Sequence, residues 1–183
     1  RLDKFFSEGH YWHGNEPDIH AAYLFTSAGR ADLTQKWVRW IVDNKYAARY
    51  DGIDGDDDAG TLSAWYIFST LGFYPVAGSD RYITGAPLFR NAEIRTGNTV
   101  FRIIADNWSP GNIYVKETRL NDTILADNIL RHADIMRGGT LRFDSSLTVD
   151  ISIRTITFLA GGGTIACNGV NYTPSRSIGN GGS

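Results

Sequence analysis

The chain has 183 residues, of which 42% are hydrophobic and 13% aromatic, and its formal net charge is −2. That is enough apolar material for one large or two small globular domains. The near-neutral charge offers no basic surface for nucleic acid or anionic lipid, and the apolar runs are too short to span a bilayer, so neither is expected as a partner.

From the N-terminus to Pro75 the signals are helical. Pro17 suits the first position of a helix, where its missing N–H costs nothing. Ile19, Tyr23 and Leu24 follow at helical spacing and Gly29 is a natural stop, which predicts one helix over 17–28. A second is expected over about 31–46, with Leu33, Trp37, Trp40 and Ile41 on one face and Lys36 and Arg39 outside it. A third starts near Asp58; Leu62, Trp65, Tyr66 and Phe68 leave it little polar surface, so it should be buried nearly all round. Gly72 and Pro75 end it.

From about Tyr82 the period changes to two. Residues 100–104, 113–115 and 141–143 have strand character, and Val149, Ile151 and Ile153 alternate with polar neighbours as a half-buried strand does. Pro110-Gly111 and Gly138-Gly139 mark turns. Short strands between turns predict an antiparallel sandwich. The expected organisation is α + β: helices over 1–80, an all-β region over 81–168 and a flexible tail over 169–183. Three helices do not enclose a core alone, so the helical part is expected to end a larger helical array. The chain, opening RLDKFF without an initiator Met, is expected to be a processed or partial piece. Cys167 is the single cysteine, so no internal disulfide forms.

Two short segments carry the chemistry. In GNEPDIH, Gly14 to His20, Asn15 and Glu16 are hard oxygen donors beside a tight turn, and Asp18 and backbone carbonyls add more, a set suited to calcium. His13 and His20 flank the turn and suit sugar hydroxyls or a bound water. The same residues also suit a plain helix cap, and the residues alone leave both readings open. In GDDDAG, Gly55 to Gly60, the aspartates at 51, 54, 56, 57 and 58 crowd into eight positions ahead of the apolar run TLSAWYIF. Asp56 and Asp58, two apart in an extended turn, point to one side and Asp57 away. Paired carboxylates raise one another's basicity, so one becomes a competent general base. A solvated capping loop is the alternative. An EF-hand is excluded, because Ala59 stands where its loop needs Gly and Trp65 where it needs Glu. Trp37, Trp40 and Trp65 are expected in the core rather than as a sugar platform, His132 is expected to be structural, and Gly161 to Gly163 lack the strand–helix context of a phosphate loop.

The segments YWHGNEPDIHAAYLF, TQKWVRWI, GIDGDDDAGTLSAWYIFSTLGFYPVAGSDRYITGAPLF and HADIMRGGTLRF resemble, in this order, the C-terminal part of glycoside hydrolase family 92 over residues 1 to 145. The resemblance implies a calcium-dependent, inverting, exo-acting α-mannosidase acting on mannans or N-glycans, secreted or periplasmic, and an (α/α)6 barrel followed by a β-sandwich-like region. It implies that calcium is held by the turn of Asn15, Glu16 and Ile19, with His13 and His20 near the sugar. It further implies that Asp58 is the general base and Asp56 its assistant, although many relatives have Asn at the latter position. Asp54 stands where relatives often have Pro and carries no implied role. The family's general acid is a Glu upstream of GNEP, so the partner this chain requires is the rest of the catalytic domain. Two other readings are a non-catalytic calcium- or sugar-binding module of the same fold, and a phosphorylase with a related barrel; no basic cluster near either motif supports the latter's phosphate pocket.

Overall fold

In the computed structural model, residues 1–149 are described throughout, together with the backbone of 165–167 and 170–172. Arg1–Val149 forms one compact unit and Asp150–Ser183 a second. In the second, β9 (Ile165–Cys167) and β10 (Val170–Tyr172) pair antiparallel. Val170–Tyr172 is thus a strand where a tail was expected. Ile151, Ile153, Gly161 to Gly163 and the remainder of the expected tail lie outside the described residues.

The first unit opens with α1 (Leu2–Ser7). The single helix predicted over 17–28 is three short pieces instead: α2 (Glu16–Ile19), a 3₁₀ turn (Ala21–Tyr23) and α3 (Leu24–Ser27). The break at His20 lets Ala21, Ala22, Tyr23 and Phe25 all reach the core, which one straight amphipathic helix would not permit. α4 (Ala31–Lys45) runs as predicted, burying Trp37, Val38, Ile41 and Val42 while Arg39 and Asp43 pair on its outer face. α5 (Thr61–Leu71) starts three residues later than expected, because Asp58, Ala59 and Gly60 adopt positive φ angles of 38°, 59° and 86° and none can lie in a right-handed helix. Gly72, left-handed at φ 93°, closes it.

The β part comprises two sheets. β1 (Phe73–Pro75), β2 (Arg81–Thr84) and β7 (Ile129–Arg131) form an antiparallel sheet in the order β1-β2-β7. β3 (Asn91–Thr96), β4 (Thr99–Asp106), β5 (Tyr114–Leu120), β6 (Thr123–Ile124) and β8 (Gly139–Ser146) form a five-stranded sheet in the order β3-β4-β8-β5-β6. This sheet is mixed, correcting the antiparallel expectation. β4 and β8 run parallel, Phe101 opposite Gly139 through Asp106 opposite Asp144, because β5 to β7 and α6 (His132–Arg137) intervene and return the chain in the same direction.

Two hydrophobic clusters fill the unit. One gathers Phe6, Tyr23, Trp37, Ile41 and Trp65 from the helical turns with Tyr11 from the connection after α1; the other gathers Phe73, Phe101, Ile103, Leu130, Leu141 and Phe143 from the sheets. No boundary falls near residue 80. β1 follows α5 through Gly72, and Gln35 of α4 accepts the Val115 N–H of β5. Trp37 and Trp65 are core residues as expected, while Trp40 keeps 37% of its surface. His132 receives or donates a hydrogen bond with Tyr82, a structural role.

Candidate functional site

The two acidic segments meet because two glycines let their backbones cross. A Cβ on Gly14 would overlap the carbonyl oxygen of Asp54, and a Cβ on Gly55 would lie 2.8 Å from the Cα of Gly14. Contacts that close exclude any side chain. Gly55 also has φ 102°, a region open essentially to glycine alone.

At this crossing the carboxyl groups of Glu16 of the first segment and Asp58 of the second come close enough to perturb one another. Both are exposed. Asp58 is raised above the usual carboxylate range, first by the Glu16 carboxyl and then by the Asp57 charge, and Glu16 is lowered by the Asp58 carboxyl and by a backbone N–H. The two carboxyls therefore titrate as an interacting pair in which Asp58 is the more basic member. Among the described residues neither carboxyl is paired with a lysine or arginine.

The neighbouring acids have other tasks. Asp57 accepts from the Ser63 N–H at 2.8 Å and the Ser63 hydroxyl at 2.6 Å, and its carbonyl accepts from Thr61 N–H at 2.7 Å. Its side chain thus caps the first turn of α5, and the bonds from Ser63 lower its pKa below the ordinary carboxylate value. Asp54 pairs with Lys45 at 2.9 Å. Asp56 is exposed, two residues before Asp58 in the chain. The capping reading thus holds for Asp57, the one member expected to point away, and leaves Asp56 and Asp58 available.

In the first segment Asn15 is extended at φ −121° and its side chain makes no capping bond, so its amide oxygen is not committed to the helix. Its carbonyl accepts from Asp18 N–H at 2.8 Å. The Ile19 carbonyl accepts the Trp65 indole N–H at 2.8 Å, which fixes its direction. These are hard oxygens of the kind calcium takes, but among the described residues no three His, Cys, Asp or Glu side chains cluster as a metal site. The donors suit calcium in kind and fall short of its usual six to eight in number.

The two histidines separate. His20 is exposed and lines a cavity of about 470 Å³ with Glu16, Ile19, Tyr23, Tyr74 and Ile83. His13 is fully buried, with Nδ1 2.6 Å from the Tyr11 hydroxyl and Nε2 2.6 Å from the Tyr46 hydroxyl. Both ring nitrogens are occupied, so the expectation that His13 bonds sugar hydroxyls is corrected. Burial lowers its pKa to about 4, Asp54 opposing and Lys45 adding to the shift. Sequence reasoning missed Tyr46 and Lys45 beside the site; only the close approach demanded by Gly14 and Gly55 signals that the end of α4 belongs there.

The model of the glycosyl hydrolase family 92 catalytic domain matches residues 1–146. Among solved structures, a family GH92 α-mannosidase of Bacteroides thetaiotaomicron is 42% identical with a TM-score of 0.76, the match covering 80% of this chain and 21% of that one. The same enzyme has been solved in complex with mannoimidazole. An inverting GH92 mannosidase of B. thetaiotaomicron VPI-5482 is 34% identical with a TM-score of 0.71, covering 78% of this chain and 20% of that one. An uncharacterized secreted glycosidase of Arthroderma benhamiae is 28% identical over 145 residues, 77% of this chain and 19% of the relative. The chain thus spans about a fifth of the length of these relatives.

Proposed function

The chain belongs to glycosyl hydrolase family 92, and from that premise we propose that it supplies the general-base half of an exo-acting, inverting α-mannosidase. The observation that carries this reading is the Glu16–Asp58 carboxyl pair, formed across a backbone crossing that only glycines allow. Asp58 is the base: raised basicity and lack of a cationic partner equip it to take the proton of a water attacking the anomeric carbon. Asp56, exposed two residues before it, assists by orienting that water. An inverting enzyme needs an acid on the opposite side of the sugar, about 6.5–9.5 Å from the base, and this reading assigns the acid to another part of the catalytic domain.

Asn15, Glu16 and the Ile19 carbonyl would hold calcium, with further ligands from the rest of the domain or from substrate and water. When bound, the cation would polarise and orient sugar hydroxyls. His20, on the wall of the cavity that also holds Glu16, faces the sugar. The substrate is a mannose-containing glycan, in keeping with the mannoimidazole complex of the relative. The helices complete an (α/α)6 barrel with the rest of the domain. The secreted fungal relative supports an extracellular or periplasmic site of action; among the described residues no helix is long and apolar enough to cross a membrane.

In the full-length enzyme Asp58→Asn should lower kcat by about 10²–10⁴-fold, the range for a lost general base. Unchanged turnover would remove the assignment. Calorimetry should show weaker calcium binding in Glu16→Gln; unchanged affinity would leave Asp58 as base and strip Glu16 of the metal role. The alternative, a non-catalytic binding module, predicts glycan binding without hydrolysis by the full-length protein.

A further inference from the structure

Between the two acidic segments' flanking residues runs a largely buried chain of hydrogen bonds whose directions follow from its chemistry. The Tyr46 hydroxyl is 2.8 Å from the Leu62 carbonyl, which only accepts, so Tyr46 donates there. Its oxygen must then accept from His13, which places the imidazole proton on Nε2. Nδ1 is left as an acceptor, and Tyr11 donates to it. A doubly protonated ring would leave the Tyr11 hydroxyl hydrogen without an acceptor in a buried site. Every polar atom is satisfied by one tautomer and one direction.

The chain ends beside both segments of the site. Leu62 lies in the first turn of α5, four residues beyond Asp58. His13 lies three residues before Glu16. Trp65 packs against both, its ring 4.6 Å from His13 and 5.9 Å from Tyr46 at 7° to the latter, and its indole N–H holds the Ile19 carbonyl at the end of the Glu16 turn. The Ile19 carbonyl of the first segment and the Leu62 carbonyl just beyond the second are thus held by a single aromatic group. The left-handed run at Asp58, Ala59 and Gly60 needs such a clamp, since Ala gains nothing from φ 59° and reverts if the loop is released.

We propose that Tyr11, His13, Tyr46 and Trp65 are positioning residues that hold Asp58 against Glu16, setting the place of the catalytic carboxylate without touching substrate. The inference rests on the general-base reading of Asp58. It concerns alignment, so it predicts a loss in kcat with KM little changed.

The test is steady-state kinetics on an aryl α-mannoside with the full-length enzyme. Tyr46→Phe removes one oxygen and keeps the ring, and Trp65→Phe removes the indole donor. Each should lower kcat by about 10–100-fold, the scale of a misplacement near 1 Å, with KM within about twofold. His13→Phe should match Tyr46→Phe, whereas His13→Gln, which restores an N–H toward Tyr46, should recover kcat to within about fivefold of the wild type. A general structural role would move the melting temperature but would not be rescued selectively in kcat. Normal kcat in Tyr46→Phe, or no difference between His13→Gln and His13→Phe, overturns the proposal. Asp58→Asn measured alongside separates the two ideas: normal turnover there overturns the base assignment, and lost turnover there with normal turnover in Tyr46→Phe overturns the positioning role alone.

Discussion

Two groups of carboxylates in this molecule have opposite fates. On the five-stranded sheet Asp106, Asp144 and Glu117 stand abreast on β4, β8 and β5, like charges directly opposite one another. Each is answered: Asp106 by Arg142 at 2.8 Å, Glu117 by Arg119, Asp144 by the Asn107 amide at 2.9 Å. At the glycine crossing, Glu16 and Asp58 answer only each other, although Lys45 is close enough to pair with Asp54. The first group is hydrogen-bonded and structural, two of its three members through an arginine. The second keeps a mutual repulsion that makes Asp58 the more basic of the two, on a loop bent through three left-handed residues. Crowded charge alone does not mark a functional site; crowded charge without an available cation, on strained backbone, does.

The sharpest way to break this contrast is to neutralise one carboxylate from each group. Asp58→Asn is expected to cost about 10²–10⁴ in kcat, and Asp106→Asn less than about twofold, because its pair with Arg142 is a surface pair worth at most about 1 kcal/mol. Comparable losses from both would erase the distinction.

Next in size is the crossing itself. Gly14→Ala drives a methyl group into the Asp54 backbone and should destabilise the protein by about 2–4 kcal/mol, read by denaturant unfolding. Gly9→Ala, with open space around its Cβ, meets only the strain of φ 76° and should cost about 1 kcal/mol. Equal costs would mean that the segments are not held in contact.

A smaller effect comes from His13. Its pKa is about 4 when folded and near 6.5 when unfolded. Above pH 6.5 both states are neutral and nothing is lost. As pH falls from about 6.5 to 4 the unfolded chain takes up a proton the folded one refuses, and stability should drop by roughly 2 kcal/mol after allowing for solvent screening. Urea melts across that range should show the slope, and His13→Gln should flatten it.

Local pattern sufficed where local forces decide. α4 follows from its apolar spacing, the end of α5 from Gly72, and β4 and β8 from alternation. The two-residue spacing of Asp56 and Asp58 would put them on one side only in an extended turn, and Asp58 is left-handed at φ 38° instead. What the sequence did not disclose depends on distant partners. The break at His20 exists because Ala21, Ala22, Tyr23 and Phe25 must all reach one core. The parallel pairing of β4 and β8 depends on the path through β5 to α6. His13 looked like a sugar ligand because nothing nearby in sequence reveals Tyr46, thirty-three residues away, at its other nitrogen. Ala59 carries no sign that it will adopt a positive φ.

The account turns on Glu16 and Asp58 acting as one unit, and a double-mutant cycle in the full-length enzyme tests that most directly. Turnover is measured for Glu16→Gln, Asp58→Asn and the double variant. If the pair is one interacting unit that serves the base, the double variant should be no more than about threefold slower than Asp58→Asn alone, as for catalytic groups that work together. Losses that multiply, each substitution exerting its full effect in the absence of the other carboxyl, would show two independent groups and contradict the account.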